Sequence, residues 1–233
     1  MSDKDEKSGD NWISGALFGF VVIGILVFFW PSLIPFRFFE FWTTKGSLWD
    51  AVTSMWPLYV WGIVLNLIHF AYNGRPQGAP AEILIGGTIV SLLAGVTEEI
   101  AFRWLIFFSS IVLIPVTDWI LLGFMGIHIV QWVYGWICWA ANIATLGYLS
   151  AYLFHPWGWA VGAAMISSNG RFRNAHAYQG IVGIIDAWFF GMCMFWVLFN
   201  HGIIAAIITH FLFDFFIFLL VAISATGKSR KWA

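Results

Sequence analysis

Charge is what this sequence has least of. Only 10% of its 233 residues are Asp, Glu, Lys or Arg, against about a quarter in an ordinary soluble domain. With 61% hydrophobic residues and a mean hydropathy of +0.83, a water-solvated fold is excluded and the chain reads as a polytopic membrane protein. Its 11 Lys and Arg are offset by 12 Asp and Glu, for a net charge of -1. The basic footprint of a nucleic-acid binder is therefore missing, and no nucleic-acid partner is expected. Cysteine is equally scarce. Cys138 and Cys193 sit in apolar runs without C-x-x-C spacing, which argues against a disulfide framework or a thiolate zinc site and leaves both as reduced packing residues. No H-E-x-x-H, G-x-S-G or G-x-G-D occurs, so zinc, serine and aspartyl routes to hydrolysis inside a membrane lack their motifs. No repeat of fixed period and no low-complexity tract is present.

Aromatic and aliphatic runs fill the space. Aromatics make up 20% of the chain, with 16 Trp and 24 Phe, a composition suited to membrane interfaces and helix-packing surfaces. Residues 1–11 are polar and too short to fold, and read as a solvated tail. Trp12 to Trp30 is long enough to cross a hydrocarbon core of about 30 Å, and Pro35 to Thr44 reads as an interfacial segment. A second span is expected from Ala51 to Tyr72, closed by the loop signal Asn73-Gly74-Arg75-Pro76. From Glu82 to Pro115 the apolar run exceeds one simple span, which predicts a long tilted helix or a break near Gly95 or Pro115. Trp119 to Phe154 is again too long, with Asn142, Gly147 and Tyr148 as break points. Ser167 to Gln179 is polar and reads as an aqueous loop. Two closing spans, 180–199 and 202–224, are joined tightly through Asn200-His201-Gly202. Lys228, Arg230 and Lys231 in the tail, residues 225–233, favour a cytoplasmic C-terminus. The expected architecture is all-α: one polytopic transmembrane helical bundle over residues 12–224, with about six to eight membrane helices around a conical or laterally accessible polar cavity, in the plasma membrane and in contact with membrane lipid.

The anomaly is Glu98-Glu99-Ile100-Ala101-Phe102-Arg103, because both flanks are apolar. An ionised side chain at a membrane helix centre costs about 2.5–3.5 kcal/mol on insertion scales. These groups should face the bundle interior, pair, and mark a function. Glu99 and Arg103 are four apart and share a helical face; Glu98 points elsewhere and is free to exchange a proton. Two more clusters accompany them. Phe124 and His128 form F-x-x-x-H, with Gly126 permitting a close backbone approach. His210 and Asp214 form H-x-x-x-D in the last apolar run, one turn apart, suited to a carboxylate that orients an imidazole. Asn66, Asn142 and Asp186 read as helix contacts. His69 reads as an interfacial or packing residue, and His155, His176 and His201 as solvated span ends.

In this order, E-E-x-x-x-R, F-x-x-x-H and H-x-x-x-D resemble the CPBP family of intramembrane proteases, which includes the type II CAAX prenyl endopeptidases and bacteriocin-processing or immunity (Abi-like) proteins. The resemblance spans residues 82–220. It differs from many CAAX enzymes in carrying Asp rather than Asn at 214. It implies hydrolysis of a peptide bond in a membrane-associated or lipidated protein substrate. Glu98 would take the proton from water, His128 would orient that water, and His210 with Asp214 would stabilise the oxyanion, while Glu99, Arg103 and Phe124 give support. Glu98, His128 and His210 also make a legitimate zinc set with one position for water, so a metal-assisted version stays open. The alternatives are a non-catalytic scaffold or immunity protein that uses the same cluster structurally, and a proton or ion pathway.

Overall fold

The computed structural model describes residues 3–31, 40–155 and 158–226, with side chains from Ile13 onward. Within them the chain is helical and forms no strand. The order is α1 (Asp3–Phe29), α2 (Leu48–Ser54), α3 (Trp56–Asn73), α4 (Pro80–Glu98), a π-helical stretch (Glu99–Ile106), α5 (Phe107–Ile120), α6 (Ile129–Ala144), α7 (Ser150–Leu153), α8 (Trp159–Ala175), α9 (Gly180–His201) and α10 (Ile203–Ser224). Three helices are long and apolar enough to cross a membrane: Pro80–Ile120, with 41 residues, Ala177–His201, with 25, and Ile203–Ser224, with 22. A fourth is added if α2 and α3, bent by 46° at their junction, count as one span. That bend has a local cause. Pro57 enters the first turn of α3, where it has no N–H to continue the ladder and its ring displaces the carbonyl four residues back.

The run that begins at Glu82 breaks at neither Gly95 nor Pro115. Pro115 is accommodated inside α5, and the helix changes pitch instead over the π-helical stretch, where hydrogen bonds reach five residues rather than four. Gly95 has a packing role. Gly87, Ser91 and Gly95 are buried at every fourth position of α4, a small-residue stripe that lets another helix approach closely. The partner is α10: a Cβ on Gly95 would stand 3.0 Å from the Ile207 carbonyl oxygen and 3.2 Å from the Phe211 nitrogen, and one on Gly87 would meet the Phe218 ring.

The largest departure from expectation concerns 167–179. These residues form the end of α8 and a turn, Ala177–Gln179, and α8 runs through the core with Ser168, Asn169 and Phe172 buried. Several of its polar groups find partners in the protein, although Asn169 Oδ1 has none. Ser168 Oγ donates to the carbonyl of Phe102 in the π-helical stretch, Asn169 Nδ2 donates to the Trp188 carbonyl at 2.9 Å, and the Ser167 and Tyr134 hydroxyls bond each other. A buried polar group satisfied this way costs little, and the helix can sit where a solvated loop was expected.

Other differences are smaller. The helical backbone of α1 begins at Asp3, inside the expected tail, since extending an existing helix by polar residues is cheap. In the expected interfacial segment, Phe41 is buried against Phe108 and Phe199; residues 32–39, Arg37 among them, lie outside the described residues, as do the C-terminal cations. The 119–154 region divides at the turn after α6, where Leu146 and Gly147 have positive φ, 51° and 80°. Gly202, φ 89°, alone links α9 to α10 and packs against the backbone of Phe41 and Thr43. Cys138 and Cys193 are free thiols, the first buried in the core.

Gly95→Val should force α4 off α10, at a cost of about 1–3 kcal/mol from overpacking. A Cβ on Gly86 in the same helix meets nothing, and Gly86→Ala should be neutral or stabilising by up to about 1 kcal/mol. Thermal unfolding of the two variants in detergent checks the contrast.

Candidate active site

Close contact between α4 and α10 brings the two acidic motifs face to face. Glu99 and Arg103 lie within the π-helical stretch, both with no exposed side-chain surface, and Arg103 Nη1 stands 3.3 Å from Glu99 Oε1. The same carboxylate oxygen is bonded to His210 Nδ1 at 2.7 Å. A carboxylate accepts, so the proton of this bond sits on Nδ1. The other ring nitrogen, Nε2, then faces Glu98 Oε2 at 3.9 Å and Asp214 Oδ2 at 3.5 Å. Arg103 is sandwiched as well as paired: its guanidinium carbon lies 4.0 Å from the Phe172 ring centre and 5.8 Å from that of Phe195, an arrangement that suits a planar cation in apolar surroundings.

Glu98, at the end of α4, keeps part of its surface and lines a cavity of about 340 Å³. The opposite walls come from α8, the turn after it and α9: His176, Tyr178, Gln179, Asp186 and Phe190, with His210 and Asp214 on α10. His176 Nε2 stands 3.9 Å from Glu98 Oε2, the same separation as His210 Nε2. Two imidazoles therefore address one carboxylate oxygen, one from the turn after α8 and one from α10. His176 Nδ1 is held by the Phe172 carbonyl at 2.9 Å, so the Nδ1 proton is fixed there and Nε2 is left for the cavity. At 3.9 Å neither contact is a direct hydrogen bond, though catalytic contacts are commonly long until substrate binds.

His128 and Phe124 do not join this group, and the expectation that they share one helical face is corrected. The chain reverses after α5 through Leu122 and Gly126, with φ of 72° and 81°, so Phe124 falls in a short turn and His128 at the start of α6 rather than on one helical face. Asp118 holds the reversal. One carboxylate oxygen lies 2.6 Å from His128 Nδ1, and the other accepts from the Val130 and Gln131 amides at 3.0 and 3.2 Å, capping α6. His128 is half exposed and Phe124 more so; neither lines the cavity. Gly126 serves this turn, since a Cβ there would meet nothing.

The histidine that lines the cavity beside His210 belongs to a second F-x-x-x-H, Phe172-Arg173-Asn174-Ala175-His176. Its signal was present in the text but masked by the polar residues around it, which read as a loop. Asp186, expected as a helix contact, is one: it accepts from Trp61 Nε1 at 2.8 Å, while also lining the cavity. His201 lies at the end of α9 as expected but is half-buried, with Nδ1 3.2 Å from the Lys45 carbonyl.

With His128 elsewhere, the candidate zinc set of Glu98, His128 and His210 is not assembled. Among the described residues no group of three or more His, Cys, Asp or Glu side chains is placed to hold a metal ion.

Fold and site together define an all-helical, apolar bundle of membrane type with a buried Glu–Arg–His chain behind a carboxylate-lined cavity. The chain matches no family model, no curated protein and no solved structure.

Arg103→Leu should leave Glu99 as an uncompensated buried charge, at a cost of about 3–5 kcal/mol, whereas Arg103→Leu with Glu99→Gln should recover part of the loss. Accumulation in membranes and melting temperature of the two variants measure this.

Proposed function

We propose that this protein is a CPBP-type intramembrane endopeptidase in which a glutamate activates the water that hydrolyses a peptide bond of a membrane-associated or lipidated protein. The observation that carries the reading is the placing of two imidazole Nε2 atoms, from His176 and His210, each 3.9 Å from Glu98 Oε2 at the wall of one cavity. Glu98 takes a proton from water as the water oxygen bonds to the scissile carbonyl carbon. His176 orients that water, in the role expected of His128. The carbonyl oxygen becomes an oxyanion, and His210, donating from Nε2 while Nδ1 donates to Glu99, stabilises it. Glu98 then returns the proton to the departing amine as the C–N bond breaks. Asp214 positions His210 from 3.5 Å. Glu99, Arg103 and Phe172 hold the imidazole and the π-helical stretch in place. Each of these steps is carried by a side chain that lines the cavity or holds one that does.

Lateral access fits the same reading. The cavity shares Gln179, Asp186, Phe213 and Ile217 with a second cleft of about 460 Å³ walled by α3, α9 and α10, which the Trp61–Asp186 hydrogen bond crosses. In this proposal six to eight helices sit in the plasma membrane, and Lys228, Arg230 and Lys231 stay on the cytoplasmic side.

The sealed Glu99–Arg103–His210 chain favours a second reading, a scaffold or immunity protein that keeps the cluster for assembly. The two separate at Glu98. At matched accumulation, Glu98→Gln and His176→Ala should each lower cleavage of a panel of membrane-anchored candidate substrates by about 10²–10⁴-fold, the usual worth of a general base or of a group that positions its water. His128→Ala should retain activity. Loss with His128→Ala but not with His176→Ala would refute the assignment, and function intact in Glu98→Gln would favour the scaffold.

A further inference from the structure

A cleft larger than either of the two described above lies away from Glu98, between α6, α8 and α9. It has a volume of about 580 Å³, within the range of cavities that hold small ligands. Its walls are apolar, among them Ile137 and Ala141 on α6, Ile166 on α8 and Trp188 on α9, and its floor includes Gly170. A Cβ built on Gly170 would meet nothing within 4 Å. Gly170 is thus neither a turn residue nor a site of close helix approach, and its missing side chain opens the cleft. One lining residue is charged: Arg173, one turn further along α8. Its Nε and Nη2 donate to Asn174 Oδ1, each at 3.2 Å, which braces the guanidinium and leaves Nη1 for another acceptor.

We infer that this cleft binds one anionic phospholipid, an acyl chain lying over Gly170 between α6 and α9 and the phosphate headgroup on Arg173. An apolar slot bordered by Ala140, Ala141 and Ala144 on α6 offers a chain smooth contact without polar groups to desolvate. A single guanidinium beside it supplies the charge that a zwitterionic headgroup satisfies less well, and arginine recognises phosphate through paired N–H donors. The site is independent of the Glu98 cavity and of any catalytic reading, since the two share no lining residue.

The test is native mass spectrometry of the full chain in detergent, titrated with dioleoyl phosphatidylglycerol or dioleoyl phosphatidylcholine. Wild type should retain one phosphatidylglycerol, preferred over phosphatidylcholine by about fivefold, as one basic group near a lipid headgroup provides. Arg173→Gln should reduce phosphatidylglycerol to the level of phosphatidylcholine. Gly170→Leu, whose Cβ meets nothing within 4 Å, should weaken both lipids without lowering the lipid-free melting temperature. Equal binding of the two lipids by wild type, or a phosphatidylglycerol preference that survives both substitutions, would overturn the inference.

Discussion

A guanidinium with no exposed surface, sealed inside an apolar bundle, must find its counter-charge within the protein. Arg103 finds it in Glu99, and Glu99 in turn takes the Nδ1 proton of His210. Much of the interior is arranged to make that chain of contacts tolerable. Phe172 and Phe195 cover the guanidinium, and Gly191 on α9 leaves room for Asn169 and for the guanidinium, since a Cβ there would clash with Asn169 Oδ1 and stand 3.0 Å from Arg103 Nη2. Ser168 bonds the Phe102 carbonyl beside it. A buried pair of this kind is weak evidence of stability, because desolvation offsets much of the Coulomb gain. Its value here is orientational: it turns one face of the His210 ring into the cavity.

The π-helical stretch follows from the same constraint. In a helix whose hydrogen bonds reach five residues, the residue four positions on stands almost above the first, which brings Arg103 over Glu99 while Glu98, one residue earlier, stays at the cavity wall. The small-residue stripe Gly87, Ser91 and Gly95 then sets how near α10 can come. Sequence and chemistry thus meet at a division of labour between adjacent glutamates. Glu99 is locked into the core, and Glu98 has two imidazoles at 3.9 Å and access to the cavity.

What could be read beforehand was whatever local spacing decides. The helical, membrane-type character followed from hydropathy. The Glu99–Arg103 pairing followed from i,i+4 spacing, and the His210–Asp214 approach, now 3.5 Å, from the same rule. The tight link between the last two helices was also visible, although it is Gly202 alone rather than Asn200-His201-Gly202. What escaped depended on contacts between distant segments. Ser168 and Asn169 look like loop residues, because the carbonyls of Phe102 and Trp188 that satisfy them are far away in sequence. That error hid His176, and the first F-x-x-x-H in the chain, at Phe124 and His128, took its place. Nothing local distinguishes the two copies; Asp118, near the end of α5, draws His128 to the α5–α6 turn from ten positions away.

The central claim is that His176, not His128, stands opposite Glu98. Its most direct test is cross-linking in native membranes, in a background with Cys138 and Cys193 replaced by Ala. Glu98→Cys is combined with either His176→Cys or His128→Cys, a short bis-maleimide is added, and the intact chain is weighed. The account predicts an intramolecular bridge for the 98–176 pair and none for 98–128. A bridge between 98 and 128, or its absence between 98 and 176 when each thiol alone is shown to react, would contradict it.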